Sequence, residues 1–153
     1  MTTIPLPKYK IHQALVHLIQ EKIEEAQLQI NHLKNAAAED TKSSAGDKYE
    51  TGREMVQQEI TKTEKLLQDY KTQREMVKSL PLKNNSETVR KGCVVHTQKL
   101  IFYVSVSFGK FLVEGQEIFA MSEKAPLTQK MMGKSSGDQI SFNGMEYKLE
   151  AVY

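Results

Sequence analysis

Two runs of apolar residues, each stepping by threes and fours, flank one short polar stretch. That arrangement constrains the fold more than anything else in the chain. Before the stretch the positions are Ile11, Leu15, Leu18, Ile19, Ile23, Ala26, Ile30, Leu33 and Ala37. After it they are Tyr49, Val56, Ile60, Leu67, Tyr70 and Val77, with Arg53, Thr63 and Arg74 on the intervening beats. Steps of three and four place side chains on one face of an α-helix. The stretch between, Glu39 to Glu50, is small and polar and carries Gly46. Two such stripes around one turn predict an antiparallel helical hairpin with its turn between 39 and 47. A first helix over residues 11 to 38 is about 28 positions, or roughly 40 Å at ~1.5 Å per residue. A return helix over 47 to 79 is at least as long. One buried stripe per helix leaves most of the surface in water, which suits Glu21, Glu24, Lys34, Glu54, Lys62 and Lys65. A long arm with a polar tip is suited to delivering that tip into another molecule. The plainer reading is a stiff spacer or a dimerising coiled coil.

The helical period ends near Leu80. Pro81-Leu82-Lys83-Asn84-Asn85-Ser86 then stops the helix and makes a linker. Beyond it the pattern turns to strands: Gly92 to Thr97, Ile101 to Phe108, Gln116 to Ala120, Gln139 to Phe142 and Tyr147 to Val152. Asn143-Gly144 between the last two is the strongest short hairpin signal in the chain. A short helix over Leu127 to Met132, with Pro126 near its start and Gly133 at its end, interrupts the strands. The expected fold class is therefore α+β: a coiled-coil hairpin over 1–80, a linker over 81–87, and an antiparallel β domain with one short helix over 88–153. A core of that size gains from packing on the hairpin base.

Composition excludes several classes. With 39% hydrophobic and 26% charged residues in a chain of 153, the protein reads as soluble, and no apolar run approaches a membrane span of about 20 residues. The start, Met1-Thr2-Thr3-Ile4-Pro5, has no basic region followed by an apolar core, so no signal peptide is expected. The single cysteine, Cys93, has no internal disulfide partner, and the cytoplasm is the expected compartment. Net charge is only +2, and no basic stripe is interleaved with aromatics, so nucleic acid is expected to be met only indirectly.

No catalytic constellation stands out, and the chain is not expected to be an enzyme. His12, His17 and His32 read as surface or seam histidines, since no pair of them has i, i+4 spacing. His96 and Cys93 together do not make a zinc site, and Cys93 reads as a small buried hydrophobe. Gly133-Lys134-Ser135 resembles the end of a phosphate loop but lacks the upstream glycine. The tip holds Glu39, Asp40, Asp47 and Glu50 around Lys42 and Lys48. Carboxylates there could share a Mg²⁺ with ligands from another molecule. Alternatively, Asp47 caps the second helix with Glu50 three residues on.

At this point the layout resembles the Gre-type transcription elongation factors. Ala36-Ala37-Ala38-Glu39, leading to Lys48-Tyr49-Glu50, is similar to the family's "AxxEGDxSENAEYE" stretch. Lys91-Gly92-Cys93-Val94-Val95 is similar to its "GSVV" strand, and Ser122 to Asp138 to its "SPxSPLGxALLGKxxGD" pattern. The ending, Tyr147 to Tyr153, is similar to "YEILxIxY". The likeness runs over nearly the whole chain, and its strength lies in the order and spacing of the segments.

The resemblance implies an FKBP-like β domain docked at the rim of the secondary channel of RNA polymerase. It implies a hairpin inserted into that channel, where acidic tip residues help the polymerase hold a catalytic Mg²⁺. On this basis the docking residues are Ser122, Pro126, Leu127 and Asp138. The channel-facing tip residues are Asp40, Lys42, Ser43, Ser44 and Asp47. Anchored on Tyr49, however, the family's tip Asp falls on Lys42 and its Glu on Ala45. Only Asp40 and Asp47 are left as candidate metal ligands. In the docking segment, Thr128 stands for Gly and Lys130 for Ala. The expected function is thus a polymerase-binding factor, a monomer with no membrane association, that modulates elongation with weak or no stimulation of transcript cleavage. The alternatives are a structural adaptor whose coiled coil binds another protein and, on the FKBP-like fold alone, a prolyl isomerase.

Overall fold

A first helix, α1, runs from Lys8 to Ser43 and a second, α2, from Asp47 to Lys78. The structure, a computed structural model, describes residues 5–43, 47–83 and 87–153, with the side chains of 40–43 and 47–50 also outside it. The first helix starts at Lys8, where the sequence places the start of a hairpin over roughly 8–79, and runs further than expected at its C-terminal end. It passes through Glu39 to Ser43, which the sequence reading placed in the turn. The physical reason is local: alanines at 36 to 38 and then Glu39 and Lys42 favour helix, and neither Gly nor Pro intervenes before Gly46.

The chain divides into two compact units. One comprises His17–Arg74, the other Met1–Val16 together with Glu75–Tyr153. In the first, Ile19, Ile23, Ala26 and Ile30 of α1 and Ile60 and Leu67 of α2 are buried. Arg74 Nη1 donates to Gln20 Oε1 at 2.9 Å, and Lys34 lies 4.0 Å from Glu64. The early part of α1 thus faces the late part of α2, so the two helices are antiparallel. Thr63 falls on the buried stripe, and its hydroxyl is satisfied by donating to the Glu59 carbonyl at 2.8 Å.

The second unit holds six strands: β1 Val94–Thr97, β2 Ile101–Ser105, β3 Gly109–Val113, β4 Gln116–Ser122, β5 Gln139–Phe142 and β6 Met145–Val152. A short helix, α3, spans Pro126–Met131 between β4 and β5. The strand order is β3-β4-β2-β1-β6-β5. The sheet is mixed rather than purely antiparallel, because β2 and β4 pair parallel, Ile101 opposite Ile118 through Ser105 opposite Ser122. Its cause is β3, which the sequence reading missed. This strand turns back beyond β4 and so brings β4 alongside β2 in the same direction. Two of the tight hairpins turn on two residues with positive φ, Glu114 (50°) with Gly115 (80°) and Asn143 (50°) with Gly144 (76°). That pair of conformations matches the right-handed twist of the flanking strands.

Strand β2 is buried from Phe102 through Ser105, as a central strand covered on both faces must be. On one face Val95, Phe102, Val104, Ile140, Tyr147 and Leu149 pack with Leu127 and Met131 of α3. On the other lies Tyr103, fully buried, whose hydroxyl is 2.9 Å from His12 Nδ1. A second tyrosine ties the N-terminal segment down. The Tyr153 hydroxyl donates to the Leu6 carbonyl at 2.6 Å and lies 2.7 Å from His96 Nε2. Gly92 (φ 93°) lies against the residues that end α2: a Cβ there would sit 3.1 Å from Pro81 Cδ.

Candidate functional site

The tip positions Asp40, Lys42 and Ser43 stand in the last turn of α1, and Asp47 opens α2. Their side chains, and Ser44 altogether, lie outside the described residues, as does the proposed capping by Asp47 and Glu50. What the backbone fixes is that only residues 44–46 separate the helices.

The segment from Ser122 to Asp138 is described in full. Ser122 ends β4 and turns the chain. Its carbonyl accepts from Ala125 N at 3.0 Å, and its hydroxyl from Lys124 N at 3.2 Å. Pro126 then occupies the first helical position, where its missing N–H costs nothing. Gln129 ties the helix back by donating from its side chain to the Glu123 carbonyl. Three residues of α3 face inward: Leu127, Thr128 and Met131. Gly133, at φ 80°, ends the helix in the left-handed region. Asp138 closes the following turn, its Oδ2 accepting from Ser135 N at 2.8 Å and Ser135 Oγ at 3.3 Å.

Of the four residues assigned to docking, only Pro126 is exposed. Ser122 and Asp138 are half-buried and spend their oxygens on local turns, and Leu127 belongs to the core. Met131 is fully buried and Met132 packs against the same cluster, as expected of paired apolar residues on a short helix. Cys93 is buried too, its thiol 3.7 Å from the Thr88 carbonyl.

The outward face of this segment is built instead from Pro126, Gln129, Lys130 and Lys134. The chain just before β1 runs beside it: Val89 N donates to Lys134 O at 2.8 Å, Gly133 N to Val89 O at 3.0 Å, and Thr88 bridges to Ser135. Arg90 and Lys91 therefore stand next to the end of α3. Sequence reasoning named Lys130 as a departure from the family but missed Arg90, because the Val89–Lys134 pairing joins residues 45 apart.

Buried His12 and half-buried His96 are also only partly legible in the sequence. His12 was read as a surface or seam residue, and it is buried against Tyr103. Burial, and secondly the Lys8 charge, lower its pKa. Burial lowers that of His96, with Glu150 pulling weakly the other way. The same burial pushes the Tyr153 hydroxyl up to about 12 and that of Tyr103 higher still. Because the Tyr153 proton goes to Leu6, His96 must donate from Nε2. His17 is exposed beside Glu21, at 3.1 Å. Among the described residues, no three His, Cys, Asp or Glu side chains gather as a metal site, and no helix is long and apolar enough to cross a membrane.

The fold defines a class: a long antiparallel helical hairpin joined to a six-stranded mixed sheet with one short helix. No protein-family model matches the chain. No curated protein matches it either. Among solved structures it is similar to one of the transcription factor Gfh1, at 16% identity over 98% of this chain and 96% of that one, with a TM-score of 0.34. At that level of superposition the likeness transfers neither function nor site.

Proposed function

We propose that this chain is an RNA polymerase-binding transcription factor of Gre-like build. In this reading the hairpin enters the polymerase's secondary channel and modulates elongation, with little or no stimulation of transcript cleavage. The observation that carries it is the ordered run of Gre-like segments in one chain, Lys91 to Val95, Ser122 to Asp138 and Tyr147 to Tyr153, behind a hairpin of the right kind. In the structure the middle segment forms one continuous unit of strand end, capped turn, helix and closing turn. The hairpin supplies reach: α1 has 36 residues and α2 has 32, about 50 Å of helix at ~1.5 Å per residue.

By residue type the tip is less suited to a shared Mg²⁺ than the family's, with Asp40 and Asp47 the acids left to hold one. The two positions matched to the family's acids carry Lys42 and Ala45. A lysine ammonium offers donors and no lone pair, and its charge repels a divalent cation. Lys42 with Ser43 and Ser44 is better suited to donating hydrogen bonds to an anion or to a carboxylate of the polymerase. The test is direct binding of the full chain to core RNA polymerase. Saturable one-to-one binding supports the reading. Absence of binding, with capture of a different protein by the hairpin, would replace it with the adaptor reading.

A further inference from the structure

The sheet ends on β3 at one side and on β5 at the other. Strand β3 pairs with β4 alone, Gly109 opposite Ala120 through Val113 opposite Gln116. The turn at Glu114-Gly115 has positive φ at both residues, so Val113 and Gln116 are the pair that exchanges both backbone hydrogen bonds. The alternation that follows puts Phe111 and Gly109 in bonded pairs and turns the N–H and C=O groups of Lys110 and Leu112 away from β4. Among the described residues those groups have no backbone partner. The side chains beside them are exposed as well, that of Leu112 to 63%. A free edge of this kind is a template for another strand, and natural edges are commonly guarded by a lysine. Here the guard, Lys110, lies 3.5 Å from the acid Glu117, and at the turn Glu114 is held by Lys10 at 2.6 Å. At the other edge the exposed strand positions are Gln139 and Ser141, which carry no charge to set a register.

We propose that the β3 edge is where two copies of this chain pair, strand to strand and antiparallel, with Leu112 on the two-fold axis. This goes beyond the polymerase reading and does not depend on it, and it replaces the monomer expected from the sequence. The occupant follows from self-complementarity. An axis through Leu112 sets the two leucines opposite each other, Phe111 opposite the partner's Val113, and Lys110 opposite the partner's Glu114. Outward-pointing backbone groups then meet outward-pointing ones. An axis through Lys110 would set lysine against lysine, and one through Phe111 would set each leucine against a lysine. The axis through Leu112 brings the exposed leucines together and makes a row of alternating sign on each side of it: Lys10, Glu114, the partner's Lys110 and the partner's Glu117. The lysine that turns away strands with no acid at that position thus admits a second copy of its own.

The test is sedimentation equilibrium of the full chain from about 10 µM to about 1 mM, the range that a small interface calls for. The unmodified chain is expected to pass from monomer to dimer across it. Lys110→Glu sets glutamate against glutamate and Glu114→Lys sets lysine against lysine, each twice per dimer. Either is expected to weaken self-association at least about tenfold. An equal mixture of the two variants restores both opposite-charge pairs and is expected to dimerise like the unmodified chain. Thermal melts check folding, since each variant also loses an ion pair within the chain. Amide hydrogen exchange of the unmodified chain reads the edge without any variant. The N–H groups of Lys110 and Leu112 are expected to exchange fast when dilute and to slow as dimer forms, with Ser141 on β5 unchanged. A chain that stays monomeric throughout the range overturns the inference. So does a dimer that both variants form as well as the unmodified chain, a mixture that associates no better than its components, or a dimer in which Lys110 and Leu112 still exchange fast.

Discussion

Thr128 buries a hydroxyl that has no hydrogen-bond partner among the described residues, in the core under α3. A buried unsatisfied polar group costs about 1–3 kcal/mol, so Thr128→Val should raise the urea midpoint, a gain of about 1 kcal/mol at unchanged slope. Buried His12 and half-buried His96 make a prediction with a definite sign. Both have pKa values below the ordinary one, so the folded state favours their neutral form. Their contribution is therefore present above the unfolded value, about 6.5, and falls away as pH drops from there toward the folded value. The melting temperature should decline between pH 7.5 and 5.5, and His12→Asn should flatten that decline. A steeper decline in the variant would show that His12 is not among the groups being protonated.

At the scale of elements, the hairpin's stability rests on one narrow stripe, since most of each helix faces water. Ile23 sits in the middle of that stripe, only 7% exposed. Ile23→Ala should cost about 2–4 kcal/mol. Leu28, 59% exposed on the outer face, should cost little when replaced by alanine, and paired melts of the two variants check the assignment. These helices were legible because their signal is local and repeated many times. The Asn143-Gly144 turn was legible for the same reason. Its twin at Glu114-Gly115 was not, because glutamate seldom takes positive φ and so gives no turn signal. Missing that turn hid β3, and with it the parallel pairing of β2 with β4, which no local pattern encodes. The site was less legible than the fold. The short helix within residues 122–138 was placed to within a residue, yet its outward face depends on a chain segment that joins it only through tertiary pairing.

At the scale of the whole molecule, a long helical arm is joined to a six-stranded mixed sheet with one short helix. The arm's tip lacks the acids that the resemblance would put there, and that sets the direction of a gain-of-function test. Lys42→Asp with Ala45→Glu should raise cleavage of transcripts in a backtracked complex if the hairpin reaches the catalytic centre. Replacing Lys83 and Lys148 should leave cleavage where it was. The most direct measurement of the central claim is cleavage by a Gre factor on a stalled elongation complex, titrated with the unmodified chain. The account predicts that the chain produces little cleavage alone and progressively suppresses that of the Gre factor. Strong cleavage by the chain alone, abolished by Asp40→Asn or Asp47→Asn, or an undiminished Gre response at saturating chain, would contradict it.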